Sequence, residues 1–327
     1  KPLYNRALQG QYPPGSTIKP VMAIGALESG LIDPDKRVWC PGYITLPGSE
    51  HHYRDWKRSG HGWINLTQAI ERSSDVYFYK LGMKLGIDDI HRYGELFGLG
   101  HKTGIDLPRE NPGIMPSREW KHGHRGQPWY PGETLITVIG QGYMTATPLQ
   151  LAVVASQIAE RGHAFKPHVL KAYRDSQTGA TQAVTPQALP PIQLKDQRHW
   201  DTVINAMRGV ISDPRGTAHH YVGMNPKYPI AGKSGSAQVA GLPQNEVAPD
   251  LASIPYKLRE HALFIAFAPV DDPKIAVGVL VEHGGGGSSV AGPIARDVID
   301  SYLDSQQGET RGPVTAQTAA TGAAENS

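Results

Sequence analysis

Three short runs of residues could carry nucleophilic chemistry: Ser16-Thr17-Ile18-Lys19, Ser73-Ser74-Asp75 and Lys233-Ser234-Gly235-Ser236. A serine hydroxyl is a weak nucleophile until a neighbour accepts its proton. An unprotonated lysine can do so where a second cation and partial burial lower its pKa. Three residues apart, Ser16 and Lys19 share one face of a helix, and a helix N-terminus favours negative charge developing there. Lys233 is the candidate for the second cation. Ser73 and Asp75 offer a hydroxyl and a carboxyl. In the third run, two hydroxyls flank Gly235, whose missing side chain would let a substrate backbone lie against a strand. Taken singly, the runs also read as a helix start with a solvated lysine, a helix cap, and a glycine-containing edge strand. Their occurrence together, in this order, is what points to catalysis.

Patterning indicates the elements that must hold these residues. Tyr12-Pro13-Pro14-Gly15 is turn chemistry, and the spacing of Ile18, Val21, Met22 and Leu27 predicts a helix over 16–29 that starts at the first run. Residues 33–66 are rich in Gly, Pro, His, Trp and Arg, have no period, and read as a long functional loop. Helical spacing resumes from Thr67 and is interrupted by Ser73-Ser74-Asp75, which places the second run where two helices meet. Further helices are expected over 88–98, 147–161 and 197–212; Thr147-Pro148 combines an N-cap with a first-turn proline. Ile230 to Val239, Ala262 to Ala268 and Lys274 to Val281 read as short buried strands, the last two forming a hairpin, and a closing helix is expected over 290–303. Helices in the middle and strands late indicate an α+β domain, an antiparallel sheet covered by helices with a helical subdomain. The expected division is one domain over 1–304 and, where composition collapses to Gln, Thr, Ala, Gly and Glu, a disordered tail over 305–327.

With 39% hydrophobic and 19% charged residues, the 327-residue chain can bury a sizeable core. Its 32 basic and 30 acidic side chains leave a net charge of +2, with no basic block, so nucleic acid is a poor candidate partner. Runs such as Val21 to Leu27 are far shorter than the roughly 18 residues needed to span a bilayer. The single cysteine, Cys40, excludes an internal disulfide framework. It also gives the loop a candidate structural zinc site, with Cys40, Asp55 and His61 as ligands and His51 and His52 nearby. Ser74 is a poor fourth ligand. An ion would fix an aperiodic loop with little apolar material of its own.

In the order of its three runs the chain resembles the serine penicillin-recognising enzymes, and by their spacing it resembles the class B penicillin-binding protein transpeptidases. The phrases Tyr12-Pro-Pro-Gly-Ser-Thr-Ile-Lys-Pro20, Tyr53-Arg-Asp-Trp-Lys57, Gly140-Gln-Gly-Tyr143 with Thr147-Pro-Leu-Gln150, and Ala231-Gly-Lys-Ser-Gly-Ser-Ala-Gln238 are similar to elongation-type members from Gram-negative bacteria. Asp75 stands where many relatives carry Asn, and Ser234 and Ser236 where Thr is usual. Relatives also have sheet strands and a non-catalytic pedestal before the first run, whereas 15 residues precede Ser16 here, so the resemblance implies that N-terminal strands are missing from this chain.

The resemblance implies a D,D-transpeptidase that cross-links peptidoglycan stem peptides ending in D-Ala-D-Ala, acts in cell elongation and is a target of β-lactams. Ser16 would be the nucleophile, Lys19 the general base and Ser73 a proton relay, with Asp75 in the second motif. Lys233 and the hydroxyls of Ser234 and Ser236 would hold the terminal carboxylate, Gly235 would admit the substrate backbone, and the N–H groups of Ser16 and Ser236 would form the oxyanion hole. No cofactor would be required. A glycosyltransferase and elongation-complex proteins would be partners of the full-length protein, at the periplasmic face of the inner membrane. A β-lactamase or D,D-carboxypeptidase, and a penicillin-binding sensor or scaffold without turnover, are the alternatives at this stage.

Overall fold

The structure, a computed structural model, describes residues 3–239 and 254–310. Its first half is helical: α1 Arg6–Gln9, α2 Lys19–Glu28, α3 Leu66–Glu71, α4 Asp75–Leu96, α5 Arg118–Arg125, α6 Pro131–Val138 and α7 Pro148–Ala159, with α8 Arg198–Ser212 following. All ten residues of α2 are buried. A helix apolar on every side belongs at the centre of a fold, and α2 packs against both α4 and α8. The helix expected over 16–29 is in fact a 3₁₀ turn, Gly15–Ile18, leading into α2. The two runs of turns meet at Lys19, so its side chain enters the centre of the domain with the helix.

Residues 33–66, expected to be an irregular loop, contain two small antiparallel ribbons. Strand β1 (Val38–Cys40) pairs with β4 (Gly62–Ile64), and β2 (Tyr43–Ile44) pairs with β3 (Tyr53–Arg54) inside it. Strands of two or three residues are too short for alternation to show in sequence. The helix expected over 88–98 is the second half of α4, which bends at Gly86 (φ 71°, ψ 168°). Only glycine adopts that conformation at little cost.

The C-terminal sheet has the order β7–β8–β9, all antiparallel, formed by Ala231–Ala237, His261–Ala268 and Ile275–Val281; a small ribbon of β5 (Ala172–Arg174) and β6 (Thr181–Ala183) precedes it. Seven of the eight residues of β8 are buried, so this central strand is apolar on both faces. The glycines locate its covers. A Cβ at Gly278 would meet Pro148 and Ala152 of α7, and Gly278 shares a face with Ile265 and Lys233 through the strand register. A Cβ at Gly292, the first residue of α9 (Gly292–Thr310), would meet Phe264, one position away on the opposite face. Helices therefore cover both faces of the sheet, with Lys233 on the side of the helical region. Helix α9 continues through 305–310, into the segment whose composition suggested a disordered tail; the rest of that segment, 311–327, lies outside the described residues.

Candidate active site

The three runs meet at the junction of sheet and helices. Ser16 lies in the 3₁₀ turn ahead of α2 and is partly exposed. The turn is pinned on two sides by glycines. Gly15 (φ 55°) donates its N–H to Gly140 O at 2.8 Å, and a Cβ on Gly15 would come within 2.5 Å of Ser236 O. Ser73 sits between α3 and α4 at φ 54°, a left-handed conformation that costs a serine roughly 1 kcal/mol or more. Ser74 caps α4 by accepting from Tyr77 N–H. Helix α4 thus begins at Asp75, and the strained turn keeps Ser73 free of the capping role and directed at the two lysines.

Both lysines are fully buried. Lys19 Nζ donates to Asp75 Oδ1 at 2.7 Å, to Ser73 O at 2.9 Å and to Ser73 Oγ at 3.2 Å. Lys233 Nζ donates to the same Ser73 Oγ at 2.8 Å and to Ser234 O at 3.0 Å. One serine hydroxyl therefore bridges two lysine amino groups, with a single carboxylate beside them. Burial pushes the Lys233 pKa well below its usual value, the charge of Lys19 lowers it further, and Asp75 opposes both. Lys19 Nζ is engaged by Ser73 and Asp75 rather than by Ser16, so the side chain must turn before it can serve as a base for that hydroxyl.

The depressed Lys233 has a consequence for stability. The folded state binds this proton less readily than the unfolded chain, so the penalty is complete below the folded pKa and disappears as pH rises to the unfolded value of 10.5. Lys233→Met removes the titration. Wild type should therefore gain on this variant in melting temperature by at least roughly 3 °C between pH 7 and pH 10. A gap that does not change with pH, measured by scanning calorimetry, would mean that the lysine is charged in the fold throughout.

Among the described residues strand β7 is one of the two edges of the sheet. Ser236 O accepts from Gln141 Nε2 at 2.8 Å, on the side away from β8. In a strand, the N–H and C=O of one residue point the same way, so Ser236 N–H also faces this edge, beside the turn that carries Ser16. Ser234 Oγ lies 3.0 Å from Thr217 Oγ1, a hydroxyl pair for which sequence gave no signal. The carboxyl of Glu260 stands near Ser236: burial pushes its pKa up, the Ser236 hydroxyl lowers it, and Asp75 raises it, with a net rise. Gly235 has a different reason for being glycine from the one expected. A Cβ there would meet Thr17 Cγ2 at 2.8 Å and Pro14 O at 3.0 Å, so its absence brings the nucleophile's turn against the strand rather than making room for substrate.

Asp55, 1% exposed, organises the loop. Its Oδ2 accepts from Ser74 Oγ and from Val76 N–H, both at 3.0 Å, and its Oδ1 lies 3.1 Å from both His61 Nε2 and Lys57 N–H. Burial alone would raise the Asp55 pKa, but these bonds with the charges of His61 and Lys19 hold it below the usual value. Cys40 Sγ lies 3.6 Å from Val38 O, and burial pushes its thiol up to about 11 against a hydrogen bond with Ser74. Among the described residues no three His, Cys, Asp or Glu side chains gather as a metal ion would require. Of the three expected ligands, His61 bonds Asp55 directly and Cys40 is joined to Asp55 through Ser74. No helix among the described residues is long and apolar enough to cross a membrane.

The family described as penicillin binding protein transpeptidase domain matches residues 1–300. The chain is 41% identical over 325 residues to the peptidoglycan D,D-transpeptidase MrdA of Escherichia coli K12, covering 99% of this chain and 50% of that protein. It spans about half the length of the curated relatives it matches. Among solved structures it is similar to Pseudomonas aeruginosa PBP2 in complex with WCK 5153 (TM-score 0.82, 46% identity, 95% of this chain and 66% of that one). It is also similar to Helicobacter pylori PBP2 in its complex with MreC (TM-score 0.79, 34% identity, 93% and 52%).

Proposed function

Because the chain belongs to the penicillin-binding protein transpeptidase domain family, we propose that it is the acyl-transfer domain of an elongation-type peptidoglycan D,D-transpeptidase. The observation that carries this reading is the Ser73 hydroxyl held between Lys19 and Lys233, next to the Ser16 turn. Ser16 Oγ attacks the carbonyl of the penultimate D-alanine, and its proton goes to a neutral Lys19 amine. The oxyanion is met by the N–H groups of Ser16 and Ser236, fixed dipoles whose hold on the charge is greatest in the transition state. Collapse breaks the peptide bond, and the departing D-alanine amine takes a proton relayed through Ser73 Oγ. An amine from a second stem peptide then attacks the ester and gives up its proton by the same relay, returning Ser16 to its hydroxyl form. Lys233, the Ser234–Thr217 hydroxyl pair and Ser236 hold the donor's terminal carboxylate.

β-Lactams would acylate Ser16 as mimics of the donor. In the full-length protein, a glycosyltransferase and elongation-complex proteins would be partners at the periplasmic face of the inner membrane; the similarity to a PBP2 solved in complex with MreC supports a protein partner for this domain. The test is fluorescent penicillin labelling followed by a deacylation time course, then cross-link formation on lipid-linked substrate with a glycosyltransferase supplied. A long-lived adduct together with cross-links is the predicted result. Rapid release of the label would favour a β-lactamase or carboxypeptidase. A stable adduct without cross-links would favour a sensor or scaffold.

No cofactor takes part in these steps. We also propose that Cys40, Asp55 and His61 hold a structural zinc, a reading supported by the buried His61 Nδ1, which has no hydrogen-bond partner. Binding would draw the three groups together around Ser74 and convert the Cys40 thiol to thiolate. Protein purified without chelator or metal-affinity resin should then contain about one equivalent of zinc, and less than about a tenth of an equivalent would refute the site.

A further inference from the structure

Arg72 closes α3 directly before Ser73, and Arg215 stands two residues before Thr217. The two turns are tied together, since Thr217 N–H donates to Glu71 O at 3.0 Å. One carries the Ser73 hydroxyl that Lys19 and Lys233 share, and the other carries the Thr217 hydroxyl beside Ser234, so both border the catalytic centre. Each turn also holds an acid, but neither acid pairs with Arg72. Glu71 is buried with its carboxyl against α8, where a Cβ on Gly209 would collide with it. Asp213 is held within its own turn: Arg215 Nε and Nη2 donate to its two oxygens at 3.2 and 3.3 Å, and Arg215 N–H donates at 2.7 Å. The guanidinium of Arg72 forms no ion pair among the described residues, and its buried Nε has no hydrogen-bond partner. The charges that act on it are those of Arg215, Glu71 and Asp213, so the half-buried side chain runs toward the Thr217 turn. Arginine keeps its charge in a protein, and a cation drawn out of water without a partner is costly. The fold carries that cost at the edge of the active site.

The proposed acyl transfer, on which this inference rests, gives that cation a use. The departing D-alanine amine takes its proton through Ser73 Oγ, and the attacking amine enters where that amine left, because it gives up its proton by the same relay. D-alanine ends at its carboxylate, on Lys233 and the Ser234–Thr217 pair. An acceptor whose amine replaces that of D-alanine is a peptide, and it continues past this pair toward the turns of Arg72 and Arg215. We propose that Arg72, with Arg215 beside it, binds a carboxylate of the acceptor, so that the acyl-enzyme selects an amine carrying a negative charge beyond the one that D-alanine carries. Arg72 is part-exposed, and a planar guanidinium matches the geometry of a carboxylate. Water, the competing nucleophile, gains nothing from such a contact.

The test offers one acyl-enzyme two acceptors of the same shape that differ in a single negative charge, D-2-aminoadipate and its side-chain amide, together and at equal concentration. The acyl-enzyme is formed from a thioester analogue of the donor: the thiol leaves as Ser16 is acylated, and the acceptor amine then displaces Ser16 Oγ to form an amide. Mass spectrometry reads the ratio of the two amide products. Both come from the same acyl-enzyme, so a change in its rate of formation cancels. Wild type should favour the acceptor with two carboxylates. Arg72→Gln should lower the ratio about tenfold, the size of one charge-assisted hydrogen bond, and Arg72→Lys, which keeps the charge, should recover part of the loss. Without any variant, the wild-type ratio should fall severalfold between about 50 mM and about 500 mM salt, because a part-exposed charge is screened. A ratio that is equal in wild type and Arg72→Gln, or that salt does not move, would overturn the proposal, as would an acyl-enzyme that passes to neither acceptor. If the thioester did not acylate Ser16 at all, the acyl-transfer reading itself would fall and this inference with it; every other outcome leaves Ser16 acylation intact.

Discussion

Ser16→Ala is expected to abolish covalent labelling by penicillin, lowering the acylation rate by at least about 10⁴-fold while the protein keeps its fold. The loss is large because no other group in the site can form the ester. Ser73 lies between two lysine amino groups at a strained turn, and Ser234 and Ser236 belong to the strand edge. The fold should tolerate the change because the Gly15–Ile18 turn has no side-chain cap, and its position is set by backbone contacts to Gly140 and Ser236. The melting temperature should therefore stay within about 3 °C of wild type. A variant that still formed a stable adduct would take Ser16 out of its assigned role.

Lys19→Met is the second large effect, and it should separate chemistry from binding. A general base acts in the chemical step, so the acylation rate should fall by about 10³-fold while affinity for the unreacted ligand changes by less than about threefold. This substitution should also cost stability. Lys19 is fully buried and its partner Asp75 nearly so, and breaking such a pair typically costs about 3–5 kcal/mol because a buried charge is left without its partner. Stopped-flow acylation with a chromogenic β-lactam checks the first expectation and thermal unfolding the second. Acylation at the wild-type rate would show that another group takes the serine proton, with Lys19 present only to neutralise Asp75.

The catalytic groups were readable in the sequence because each belongs to a short run of distinctive residue types. Their meeting place was partly readable too, from a helix start, a polar break between helices and a strand. The features that remained hidden depend on tertiary contact. Trp56 and Thr217 join the site through Arg72, Asp75 and Ser234, none of which is adjacent in sequence to its partner in a way that periodicity records. Gly235 was recognised, but its reason was not, because the neighbour that forbids a side chain is Thr17 from another element. Helix α5 was missed for a related cause. The one residue it buries is Lys121, paired with Glu133 at 2.5 Å and 4.2 Å from the centre of the Tyr130 ring. A helix whose inward face is a charge shows no apolar stripe. The ribbons within 33–66 are likewise too short to carry a period, and much of their order comes from bonds to the single buried carboxylate of Asp55.

The central claim is that Ser16 forms the acyl-enzyme. Peptide-resolved mass spectrometry after incubation with benzylpenicillin tests it most directly. Opening of the β-lactam ring expels no leaving group, so the account predicts one adduct of the full mass of the drug per chain, located on Ser16. An adduct on any other residue, or folded protein that remains unmodified at saturating drug, would contradict it.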